Sequence, residues 1–122
     1  MAIAAQVMGG GFSQGQALAI SGTVRNSLSA AGTTITTATD LTGSINVVTT
    51  WAANAGVQLP NVMIGDEVEI LNLGAGAGYV YPPSATSQIN ALPVGTGFLL
   101  ATNTAVRVKK FTATRWVAYL SA

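Results

Sequence analysis

The chain has 122 residues, enough for one domain with a core of its own. It contains no Cys and no His, which excludes disulfides, thiolate metal sites and the commonest general base and metal ligand. Five basic and four acidic residues give a formal net charge of +1, and with no basic run beyond Lys109-Lys110 there is little to bind nucleic acid through its phosphates.

A folded chain of this size exposes on the order of 6,000 Å². With only 7% of residues charged, most of that area must be Thr, Ser, Asn, Gln, Gly, Ala and apolar atoms. A Thr/Ser-coated monomer is one reading. A protein whose faces are covered by neighbours is the other, and it suits such a surface better.

In chain order, residues 1–30 are rich in Gly, Ala, Ser and Gln and include a triple glycine at 9–11. This segment reads either as a disordered start or as an extended arm that orders against a neighbouring subunit, with one short strand at 16–24. No Lys or Arg precedes Arg25, and no compact apolar block stands there, which argues against a secretory signal and for synthesis in the cytoplasm.

From residue 31 onward the signals are for strands. Thr-rich 33–39 comes first, then 44–52, dense in β-branched residues and ending near Trp51. Short runs follow at 56–59, 78–81, 88–92 and 97–101, three of them stopped by Pro60, Pro82 and Pro93. Segments 66–73 and 105–111 alternate, so that Glu67 and Glu69 share one face, as do Arg107 and Lys109. The last strand is 115–120. No stretch holds a helical period, and no long internal repeat is visible. The uncharged stretch 70–106 is interrupted by Pro and Gly and would not make a membrane-spanning helix. The expected fold is all-β, a compact jelly-roll-like sandwich or barrel of about eight short antiparallel strands over 31–122, preceded by the arm at 1–30.

The chemistry-bearing motifs are weak. Gly74-Ala75-Gly76-Ala77-Gly78 lacks the following helix that a phosphate loop needs, and reads as a flexible hairpin connection. Asp66, Glu67 and Glu69 on one strand do not supply a calcium cage, and Asp40 fits a turn. A Ser or Thr nucleophile would need Lys109 or Lys110 as its base, and both lysines read as part of a charged outer face. Trp51, Tyr79, Tyr81, Phe98, Phe111, Trp116 and Tyr119 could stack on sugars, but in strands such residues more often anchor a core or an interface, and Phe12 is a further candidate anchor. The expectation is therefore no enzyme, no catalytic residue, no cofactor, no metal and no small-molecule substrate. The acidic pair Glu67 and Glu69 should lie beside the basic pair Arg107 and Lys109, within the fold or across a subunit boundary, and help set register.

One ordered series of short motifs goes further. Asn72-Leu73-Gly74-Ala75, Val80-Tyr81-Pro82, Ile89-Asn90 and Thr114-Arg115-Trp116 resemble a pattern in small virion proteins of tailed bacteriophages and prophages, over about half of the chain. The chain departs from that pattern at Gly76, where Asn is usual, and at Ala91, where Gly is usual. The resemblance implies a virion structural protein with no catalytic residue. The leading expectation is a capsid decoration (cement) protein on the outer surface of the head. It would be a homotrimer whose partners are itself and the major capsid protein, with no nucleic acid and no membrane. The alternative is a tail-fibre or baseplate module that binds a host-surface glycan.

Overall fold

The computed structural model describes residues 24–121. Among them are ten strands: β1 (Val24–Ser29), β2 (Thr39–Asp40), β3 (Ile45–Thr50), β4 (Gly56–Gln58), β5 (Glu67–Asn72), β6 (Gly78–Tyr81), β7 (Gln88–Ile89), β8 (Phe98–Leu100), β9 (Thr104–Lys110) and β10 (Arg115–Leu120). They form a six-stranded sheet, in the order β1-β3-β5-β9-β10-β7, and a four-stranded sheet, in the order β2-β4-β6-β8.

The chain passes alternately from one sheet to the other from β1 to β6. β1, β3 and β5 are parallel in the large sheet, and β2, β4 and β6 are parallel in the small one. This is a β-solenoid. Val24, Ile45 and Glu69 are successive partners across its large sheet, each one coil further along the chain. After β6 the sense changes: β8 runs antiparallel to β6, and β9 antiparallel to both β5 and β10. β7 closes the far edge, parallel to β10.

The antiparallel jelly-roll-like sandwich or barrel is thus overturned; the all-β character stands, with 47% strand and no helix among the described residues, in mixed sheets. The physical reason lies in the crossovers. Parallel neighbours need a long return path. Here each return is itself a strand in the opposite sheet, so short, evenly spaced strands arise without hairpins between them. β1 falls inside the segment assigned to the arm and pairs with β3, while residues 1–23 lie outside the described residues. Ser27, at φ +56°, sits where the β1 register is irregular, as expected of a bulge in an edge strand. Thr-rich 33–38 is a turn, because the Thr34 and Thr37 side chains bond each other at 2.8 Å and Thr37 N bonds the Thr34 carbonyl at 3.2 Å.

The core lies between the sheets. Val48, Val68, Ile70, Val106, Val108 and Trp116 from the large sheet meet Val57, Val80 and Leu100 from the small one. Their alternation along β5 and β9 puts one face of each strand inside. The corner between β5 and β6 explains the glycine run. A Cβ at Gly74 or Gly76 would collide with the backbone of Trp51 or Ala53 on the previous coil, and one at Gly78 would collide with the Trp51 indole and the Ala55 carbonyl. The run is therefore a close stacking of one coil on the next, not a hairpin end. Buried Asn72 locks this corner: its Nδ2 donates to the carbonyls of Gly76 (3.0 Å) and Leu100 (3.1 Å), and its Oδ1 accepts from Gly74 N (2.9 Å).

Candidate functional site

The outward face of the large sheet follows from the register. Ile45, Glu69, Arg107 and Tyr119 form one row across β3, β5, β9 and β10. Val47, Leu71 and Ala105 form the next, with Ser121 beside Ala105 through a backbone bond of 2.8 Å. Asn46 causes this arrangement. Its amide is turned inward, where Nδ2 donates to the carbonyls of Gly43 (2.9 Å) and Glu69 (3.2 Å) and Oδ1 accepts from Gly43 N (3.2 Å). With Asn46 satisfied inside, its neighbours Ile45 and Val47 must point outward.

Small Ala105 between Leu71 and the exposed Tyr119 leaves a groove of about 400 Å³, with Ile45, Val47 and Leu120 completing its apolar lining. Arg107 stacks over Tyr119, 5.5 Å from the ring centroid, and forms part of one wall. The charges beside the groove are unevenly shared. Arg107 Nε and Lys109 Nζ both approach the Glu67 carboxylate, at 3.6 and 3.9 Å. Glu69 stands directly across from Arg107 in register, yet its carboxylate meets no hydrogen bond or ion pair among the described residues.

No known protein family, curated protein or solved structure matches this chain.

The other residues singled out in the sequence are placed as follows. Glu67 and Glu69 on β5 face Lys109 and Arg107 on β9, in neighbouring strands of one chain. Lys110 does not join that outer face. It points inward and is 7% exposed, and its ammonium donates to Val62 O (2.7 Å) and Asn61 Oδ1 (3.1 Å). Trp51 and Trp116 are fully buried. Tyr79 and Tyr81 lie together, with ring centroids 6.1 Å apart. Tyr81 is nearly buried and its hydroxyl donates to Thr33 O at 3.1 Å, so the two do not make an open stacking platform. Phe98 packs against the core, Phe111 is exposed beneath the Arg115 guanidinium (5.9 Å), and Phe12 lies outside the described residues.

The residues that carry the resemblance sit at joints. Asn72 pins the β5–β6 corner, and Trp116 fills the core. Asn90, at φ +53°, accepts from Ala118 N at 2.9 Å and ties the turn after β7 to β10. Among the described residues no group of three or more acidic side chains is placed to hold a metal ion.

The groove residues Ile45, Val47, Leu71, Ala105 and Leu120 were not singled out in the sequence. The available signal was Ile45-Asn46-Val47-Val48, where apolar residues stand on both faces of a strand.

Proposed function

We propose that the chain is a structural protein of a tailed-bacteriophage virion: a decoration protein that binds the outer surface of the capsid lattice as a homotrimer and stabilises the head. The observation that carries this reading is the apolar groove on the outward face of the large sheet, in a molecule with nine charged residues in all. Such a face is best covered by another protein surface. The resemblance of the ordered motif series to small virion proteins supports the same reading. A trimer fits the threefold and quasi-threefold sites of capsid lattices. In this reading the chain is not an enzyme and holds no cofactor, and its partners are itself and the major capsid protein.

The test is co-sedimentation of the purified protein with decoration-free heads, at low and at high salt, beside sedimentation equilibrium of the protein alone. Binding to heads that persists in 1 M salt (Debye length about 3 Å), by a species of trimer mass, supports the proposal. Failure to bind heads, with binding to host-cell polysaccharide instead, would move the protein to the tail.

A further inference from the structure

Resting on the decoration role, we infer that the dip over Ala105 receives an apolar side chain from an extended segment of the capsid protein, and that Glu69 binds a Lys or Arg of that same segment. The groove crosses β3, β5, β9 and β10. Four strands spaced about 4.8 Å apart give a length of roughly 14 Å, which matches about four residues of extended chain. Leu71 and the stacked Arg107–Tyr119 pair wall the dip, and its floor is the smallest side chain of the row.

Charge selects the partner. Arg107 and Lys109 are both drawn to Glu67, leaving the Glu69 carboxylate with no partner among the described residues beside an apolar floor. A neutral or acidic segment laid across the groove would strip water from Glu69 and return nothing, whereas one that carries a cation satisfies it.

Among the described residues no cation of this chain reaches Glu69, so the segment's own Lys or Arg would be its partner. The chain has five basic residues, and each makes another contact within the chain. Beyond Arg107 and Lys109, Lys110 is buried on Asn61 and Val62. Arg115 donates to Asn90 O at 3.2 Å, and Arg25 to Thr42 Oγ1 at 3.4 Å.

The experiment measures affinity for decoration-free heads by co-sedimentation for the full chain and for Glu69→Lys, Ala105→Phe and Asp40→Asn, with melting curves to show that each is folded. Both altered positions point away from the core, and Asp40 is exposed on the other sheet. Glu69→Lys and Ala105→Phe should each weaken binding at least about tenfold, and Asp40→Asn should leave it unchanged. If the unaltered protein binds heads and both groove variants bind equally well, the inference is wrong while the decoration role stands. If the unaltered protein does not bind heads, the decoration role itself falls. If the variants abolish self-association but keep head binding, the groove belongs to a second copy and the inference is overturned.

Discussion

Trp51 in the parallel coils and Trp116 in the antiparallel end are both fully buried, but only Trp51 has a use for its indole N–H, which donates to Ala55 O at 2.7 Å. The Trp116 N–H has no partner among the described residues. The difference extends to the surroundings. Near Trp51 the coils touch backbone to backbone, through Gly74, Gly76 and Gly78, and polar groups such as Asn72 fix the corner. Near Trp116 the structure depends more on apolar side chains, with antiparallel pairing to β9, parallel pairing to β7 and the Asn90 tie to Ala118 N. One end of the molecule is held by a specific backbone fit and the other by bulk packing.

The largest expected effect tests the packing end. Trp116→Ala should lower stability by about 3–5 kcal/mol, because the ring is wholly inside and its removal leaves a cavity. Urea unfolding monitored by Trp51 fluorescence measures it. A loss below about 1 kcal/mol would mean that β10 contributes little to the core.

A smaller loss is expected where the coils touch. Gly78→Ala adds one methyl group that lands on the Trp51 indole and on the carbonyl it bonds, so about 1–3 kcal/mol should be lost. Thermal melts of this variant beside Gly65→Ala separate two causes. Gly65, at φ +96°, has open space around it, so only conformational strain is added there. Near-wild-type melting of Gly78→Ala would break the idea that backbone contact sets the spacing between coils.

The same contrast explains what could be read in the sequence. The strands of the antiparallel end, and β3 and β5, were legible because β-branched residues and alternation mark them locally. The neighbouring of β5 and β9 was legible because opposite charges alternate on both. Strand sense was not legible. A parallel coil and an antiparallel hairpin both bury one face, and nothing in Ile45–Thr50 or Glu67–Asn72 taken alone says which will form. The coils are alike in space without sharing residues: Ile45 stands over Glu69, and Asn46 over Ile70. β1 was hidden by its polar, bulged sequence, Val-Arg-Asn-Ser-Leu-Ser. Lys110 was read as outward although alternation with Lys109 places it inside, where its ammonium donates to the carbonyl of Val62. The groove needs Leu71 beside Ala105, a tertiary fact that no local pattern carries.

The smallest expected effect sharpens the comparison at the seam between the two halves, where parallel β5 meets antiparallel β9. Glu67 alone is ion-paired with both Arg107 and Lys109, while Glu69 is paired with neither. The three side chains are 37–50% exposed, so solvent screens most of their attraction. Glu67→Gln should therefore cost only about 0.2–1 kcal/mol, and the loss should vanish in 1 M salt, where the Debye length is about 3 Å. Glu69→Gln should leave stability unchanged at either salt concentration, since it removes no contact within the described residues. Paired chemical melts at low and high salt measure both. If Glu69→Gln proved the more destabilising of the two, the seam would be held by the in-register pair Glu69–Arg107 and not by the two pairs of Glu67. The Glu69 carboxylate would then belong to the fold, leaving the groove without its unpaired charge.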